Sequence, residues 1–215
     1  MMPFTIEQFL GVFAEYNAAV YPMQFLLMAA ALYSFFLVFK PNEYSSRFIS
    51  AILTFFWLWM GFAYHLIFFS GINPVALVFG LFFILEAAIV FYHGVWKGNL
   101  SFRYDDGGKG LTGILLVTYA LLVYPLLGSI FGHNYPQSPT FGLPCPTTIF
   151  TFGILLLTNK KVPLSVLLVP FGWTLIGSSG AVLLGIREDF GLLLAAFAGI
   201  ALLLGNKRQS LYFAR

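Results

Sequence analysis

The chain has 215 residues, of which 60% are hydrophobic and 9% charged, and its mean hydropathy is +0.88. A soluble domain carries about 25% charged residues; here 11 Lys+Arg and 8 Asp+Glu cannot solvate a globule that buries so much apolar surface. Soluble enzymes, disordered chains, disulfide scaffolds and nucleic-acid-binding domains are excluded. A polytopic, all-α integral membrane protein remains, with the lipid bilayer as its first partner.

The segment Met1 to Glu7 has no basic n-region, and no small-residue cleavage site follows, so no removable signal is expected. Thr5 with Gln8 fits a capping box, and Phe4, Phe9, Val12, Phe13 and Tyr16 recur at helical spacing. An amphipathic helix over about 5–17 follows, lying in the outer interface or packed as a lid on the spans. Apolar runs bounded by charges and turn residues then predict seven spans, at 21–39, 48–69, 75–95, 111–131, 144–158, 164–186 and 190–204. Seven spans of ~20 residues use ~140 residues and leave ~75 for connections.

Cations set the orientation. The N-terminal segment and the 70–74 and 132–145 loops contain no Lys or Arg, and the 187–189 loop contains only Arg187. Lys40, Arg47, Lys97, Arg103, Lys109, Lys160, Lys161, Lys207, Arg208 and Arg215 fall on the other side, ten against one. The positive-inside rule puts the N-terminus outside and the C-terminus in the cytoplasm. The Lys97–Gly110 stretch, with Asp105-Asp106-Gly107-Gly108, is expected to be a flexible cytoplasmic hairpin or loop.

Small residues form two stripes, Gly177, Ala181 and Gly185 on the sixth span and Gly191, Ala195 and Gly199 on the seventh. Tight contact between those spans is expected. At an offset of 114 residues, Trp59 falls on Trp173 and Gly71-Ile72 on Gly185-Ile186. A three-one-three layout of this kind resembles the SWEET sugar transporters, which are built from parallel repeats. The Pro-Gln pair of that family is absent from the first span, where Pro22-Met23-Gln24 stands.

Glu86 is the carboxylate well inside a span, and an ionisable group at that depth is a functional candidate. Tyr119 or Thr118, Thr174, and Tyr33 or Ser34 lie nearest in depth; otherwise Glu86 is a neutral clamp between helices. His93 reads as an interfacial residue beside Tyr92, Trp96 and Lys97. The long outer connection Gly132–Thr148 contains His133 and a Pro144-Cys145-Pro146-Thr147-Thr148 segment. Pro146 suits a first helical position with Cys145 as cap, and Thr147 and Thr148 add hydroxyls there. From Pro146 to Thr158 is ~20 Å of helix against ~30 Å of hydrocarbon, which sinks Cys145 by ~10 Å. By the same arithmetic His65 is ~7 Å and Asp189 ~8 Å deep.

Cys145, His65 and Asp189 thus fall at one outer level beneath His133. Cys145, His65 and His133 would suit a soft or borderline cation such as Cu(I), Zn²⁺ or Hg²⁺. The structural alternative makes Cys145 and Glu188-Asp189 helix caps and leaves His65 bonded to a carbonyl. A Cys145–His65 or Cys145–His133 nucleophile–base pair is conceivable. The single cysteine excludes an internal disulfide. The seventh span has no lysine for a retinal Schiff base, and H-E-x-x-H, G-x-S-x-G and a P-loop are absent.

Three segments carry a resemblance: Pro3-Phe4-Thr5-Ile6-Glu7-Gln8-Phe9; Trp59–His65 with Ile72-Asn73-Pro74; and Thr140–Phe150. Together they resemble a bacterial family of multi-pass membrane proteins of unknown function. The resemblance covers nearly the whole chain and implies the bacterial cytoplasmic (inner) membrane. It assigns no activity and no catalytic residues.

The expected function is a small-solute or ion transporter or binding protein. Its outward-facing site comprises Cys145, Thr147, Thr148, His65, His133 and Asp189, with Glu86 as a midplane coupling carboxylate. The alternatives are an interaction subunit of a membrane complex, oligomeric or not, and an intramembrane enzyme acting on a lipid or quinone.

Overall fold

The structure, a computed structural model, describes residues 3–204. Lys207, Arg208 and Arg215 lie outside these residues. Among the described residues the fold is helical throughout, and two isolated bridges, Phe102 with Thr158 and Phe141 with Leu143, are the only extended pairings.

Helix α1 (Ile6–Ala19) opens on the expected capping box: the Thr5 hydroxyl accepts from the Gln8 N–H at 3.3 Å and Gln8 Oε1 from the Thr5 N–H at 2.9 Å. It meets α2 (Met23–Phe39) at 86°. Its inner face buries Val12, Phe13 and Tyr16, each worth about 1.5–3 kcal/mol on removal from water. Tyr16 stands edge-on to Tyr64, with ring centroids 5.8 Å apart, and accepts a 2.6 Å hydrogen bond from Trp59 Nε1–H. Helix α1 is therefore a lid packed on the bundle.

The remaining helices are α3 (Ser45–Gly71), α4 (Ala76–Trp96), α5 (Gly108–Ile130), α6 (Pro144–Leu156), α7 (Ser165–Leu183) and α8 (Phe190–Leu204). Four of them, α3, α4, α5 and α7, are long and apolar enough to cross a membrane, or five spans exist if the bent α1–α2 pair is one. The expected spans at 21–39, 144–158 and 190–204 correspond to helices of 17, 13 and 15 residues. The 114-residue offset sets α3, 27 residues long, against α7, with 19. Helix α3 widens into π-helical turns over Met60–Phe68, which carry Tyr64 and His65.

Helix α6 is the hub. Pro144 and all residues from Pro146 to Leu156 are buried, so this short helix is enclosed by protein on every side. Its closest neighbour is α5. A Cβ on Gly113 would lie 2.9 Å from the Gly153 carbonyl, and one on Gly153 would lie 2.9 Å from the Val117 nitrogen. The two backbones touch there, a contact that only paired small residues permit. The other small-residue stripes divide their partners. Gly177 on α7 does face Leu192 of α8, but Gly191 and Gly199 face Tyr119 of α5 and Phe152 of α6.

The expected flexible loop before α5 is anchored instead. Leu100 and Phe102 are buried in the core. The Phe102 N–H donates to Ser46 Oγ at 3.0 Å, Arg103 N–H to the Leu157 carbonyl at 2.9 Å and Tyr104 N–H to the Val38 carbonyl at 3.2 Å. Lys109 Nζ adds a 2.6 Å bond to the Thr158 carbonyl. Two apolar side chains and three backbone bonds outweigh the Asp-Asp-Gly-Gly signal. This end of the bundle is packed shut; the other end is built differently.

Candidate functional site

At the end covered by α1, the 132–143 connection folds over the start of α6. Asn17 pins it in place. Its Nδ2 donates to the Pro136 and Ser138 carbonyls at 2.7 and 2.8 Å, while its Oδ1 accepts from the Thr140 hydroxyl at 2.6 Å. Gly142 has φ +101, and a Cβ there would meet Leu27 Cδ1 at 2.4 Å, so only glycine fits this turn. The Gly142 N–H donates to Thr147 Oγ1 at 3.1 Å.

Helix α6 begins at Pro144 with Leu143 as its cap. Cys145 is thus the second helical residue rather than the cap. Prolines fit positions 144 and 146 because their missing N–H groups would have had no partner within the helix.

Below this cover lies a cavity of about 170 Å³. Phe4, Phe9 and Phe13 of the lid roof it, Tyr64, Phe69, Phe79, Tyr124 and Trp173 form its walls, and Asp189, Cys145 and Asn73 are among its few polar groups. Asp189 ends a 3₁₀ turn, Arg187–Asp189, that enters α8. It is 3% exposed. The Tyr124 hydroxyl donates to its Oδ1, and Cys145 lines the same cavity. Burial pushes the Asp189 carboxyl up to about 7, against the lowering effect of the Tyr124 hydroxyl and the nearby Cys145 thiol, with Glu188 adding to the rise.

Glu188, one residue earlier, points the other way. It is fully buried, and its Oε1 lies 2.7 Å from His133 Nδ1 in the covering loop. The Tyr119 hydroxyl donates to the Glu188 carbonyl at 2.8 Å. The 3₁₀ turn therefore ties the covering loop, α5 and the cavity floor together.

The expected site residues are only partly assembled. Cys145 and Asp189 meet at the cavity. His133 is joined to this turn through Glu188, a residue expected only to cap a helix. Thr147 and Thr148 are buried and do not line the cavity; Thr147 braces Gly142, and Thr148 Oγ1 has no hydrogen-bond partner among the described residues.

His65 is also walled off. Its Nδ1–H donates to the Met60 carbonyl at 2.9 Å, and its ring lies 4.4 Å from that of Phe83 and 5.1 Å from that of Trp173. Neither histidine is hydrogen-bonded to Cys145, so no nucleophile–base pair forms among the described residues. No three His, Cys, Asp or Glu side chains there converge to hold a metal ion. Cys145, His65 and His133 do not make such a set, because each already serves a different local contact.

Glu86 is separate from the cavity. It is fully buried in α4, and neither carboxyl oxygen has a hydrogen-bond partner among the described residues. Three of the five residues expected at its depth are committed elsewhere: Tyr119 to the Glu188 carbonyl, Thr174 to the Pro170 carbonyl and Ser34 to the Ala30 carbonyl. His93 Nε2 lies 3.1 Å from Ser165 Oγ and ties α4 to the start of α7.

No curated protein and no solved structure gives a significant match to this sequence. One sequence family does match, over residues 6–212. The chain therefore belongs to DUF6064, a family of unknown function.

Proposed function

We propose that this protein is a small-solute binding or transport protein of the bacterial cytoplasmic membrane, crossing it seven times with its N-terminus outside. The observation that carries the reading is the asymmetry of the two ends. Beneath α1 and the 132–143 loop lies a cavity of about 170 Å³ with Asp189 and Cys145 on its surface. The opposite end is filled by Leu100 and Phe102. A bundle with a covered cavity at one end and a packed core at the other suits a state of an alternating-access cycle in which the solute is held on one side. The cation distribution supports calling the cavity end external. Buried Glu86 is the coupling carboxylate in this reading, on the argument that an unpartnered acid inside a span is costly to keep without a role.

Cys145 provides the test, because it is the chain's single cysteine. Spheroplasts are treated with a small neutral methanethiosulfonate, the reaction is stopped with excess thiol, and the modified fraction of Cys145 is read by mass spectrometry of the purified protein. Modification in the wild type is expected, and it should be slowed in Gly180→Trp. Gly180 lines the cavity, and a Cβ there has nothing within 4 Å, so the indole fills the space without a backbone clash. Modification only after unfolding, or an equal rate in the filled variant, would remove the cavity as a solute site.

A further inference from the structure

The chemistry of the cavity wall narrows the class of solute. Among its lining residues are an Asp and a Cys but no Lys, Arg or His. Among the described residues the Asp189 carboxyl accepts its side-chain hydrogen bond from a neutral donor, the Tyr124 hydroxyl, with the Cys145 thiol on the same cavity wall. The adjacent Glu188 has the imidazole of His133. The turn thus satisfies one carboxyl with a basic side chain of the protein and presents the other to the cavity without one.

The start of α6 points the same way. A helix N-terminus ordinarily attracts anions through its free N–H groups. Here Pro144 and Pro146 remove two of them, and the Thr147 N–H is bonded to the Leu143 carbonyl at 3.3 Å. Beside a carboxylate, this stripped terminus does not suit an anion. Much of the remaining lining is aromatic: Phe9, Phe13, Tyr64, Phe69, Tyr124 and Trp173 contribute to it. Ring faces attract a desolvated cation, most of all an alkylammonium, whose methyl groups also gain from apolar contact. Size adds a bound. A dry engineered cavity of about 150 Å³ takes benzene, so about 170 Å³ admits a ligand of similar bulk.

Resting on the solute-site reading above, we propose that the cavity binds a small organic cation, an ammonium group with a compact apolar body, its charge facing Asp189 and its carbons the aromatic wall. A metal ion is disfavoured by the lack of converging ligands among the described residues, and a neutral solute would leave the Asp189 carboxylate unanswered.

The test uses three compact, branched probes of different charge: tetramethylammonium and tert-butanol, which are of equal bulk, and the slightly larger anion pivalate. Each is titrated calorimetrically at pH 8 into the full-length protein in nanodiscs, with empty nanodiscs as blank. Tetramethylammonium is expected to bind the wild type one-to-one and roughly tenfold or more tighter than tert-butanol, because a desolvated charge pair and cation–π contacts separate them. Pivalate should not bind. Asp189→Asn should abolish the preference, and Gly180→Trp should abolish binding of every probe.

Equal binding of tert-butanol and tetramethylammonium would overturn the cation assignment while leaving a solute site in place. Absence of tetramethylammonium binding to the wild type would also overturn it. The cavity reading itself then stands or falls on Cys145 modification. Should Asp189→Asn not fold, the wild-type probe series alone decides.

Discussion

The Tyr124 hydroxyl donates to Asp189 Oδ1 across 65 residues of sequence and joins the middle of α5 to the turn that starts α8. The bond holds a nearly buried carboxyl at the cavity surface by a donor that carries no charge. Tyr124→Phe deletes it and leaves the carboxyl short of one partner. A loss of about 1–3 kcal/mol is expected, read as a lower midpoint in thermal unfolding of the protein in nanodiscs. An unchanged midpoint would mean that the bond contributes nothing to the fold.

His133 and Glu188 act on the cover rather than on the cavity surface. Removing the imidazole leaves a fully buried carboxyl without that partner, so His133→Ala is expected to cost on the order of 2–3 kcal/mol. Glu188→Gln keeps a hydrogen-bonding oxygen for the imidazole and should cost less. His133→Ala should also speed modification of Cys145, because the 132–143 loop loses its tie to the 3₁₀ turn, whereas Glu188→Gln should leave the rate closer to that of the wild type. The order of the two variants in thermal unfolding checks the claim.

Asn17 makes three hydrogen bonds to the same loop from α1. At about 1 kcal/mol per bond, Asn17→Ala should destabilise the cover by roughly 2–3 kcal/mol. Hydrogen exchange is the appropriate measurement. Amides of the 132–143 segment should lose protection in the variant, while those of α6 keep theirs.

Asp189 gives a pH dependence of unusual sign. Its carboxyl is raised from 3.8 to about 7 in the folded protein. Below pH 3.8 it is protonated whether folded or unfolded and contributes no slope. Between pH 3.8 and about 7 the unfolded chain ionises first, so this group lowers stability as pH rises, and the loss levels off above 7. Asp189→Asn should remove that component, measured as the difference between wild-type and variant stability from pH 4 to 8. Binding of a cation favours the ionised form, so tetramethylammonium affinity should rise through pH 7 in the wild type.

Glu86 has no hydrogen-bond partner to lose among the described residues. Glu86→Leu should therefore leave stability unchanged or raise it by roughly 1–3 kcal/mol, the cost of an unsatisfied buried polar group. Strong destabilisation would reveal a partner for the carboxyl. If Glu86 couples transport, the same variant should abolish solute flux in proteoliposomes while binding at the cavity persists.

The helices were legible in the sequence because apolar runs and their charged boundaries act locally. The Thr5–Gln8 box and the buried Glu86 were legible for the same reason. What pairs with what was not. The bonds of Asn17 to the loop reach over 119 to 123 residues, and His133 meets Glu188 over 55. No local pattern reports such distances. Depth alone grouped His65 with Cys145, but the π-helical turns of α3 direct the imidazole into the Phe83–Trp173 cluster instead. The loop before α5 looked flexible by composition, although Leu100 and Phe102 two residues apart were the available signal of an anchored strand-like segment. The reach of Asp189 to the cavity had a weaker signal, its place in a short charged turn between two apolar helices.

A cation seated against Asp189 should shield the Cys145 thiol beside it. Spheroplasts are treated with the neutral methanethiosulfonate in the presence of increasing external tetramethylammonium. Modification is expected to slow with a half-maximal concentration equal to the calorimetric dissociation constant, and Asp189→Asn is expected to lose the effect. Unimpeded modification of the wild-type thiol at saturating tetramethylammonium would show that the cation does not occupy this cavity.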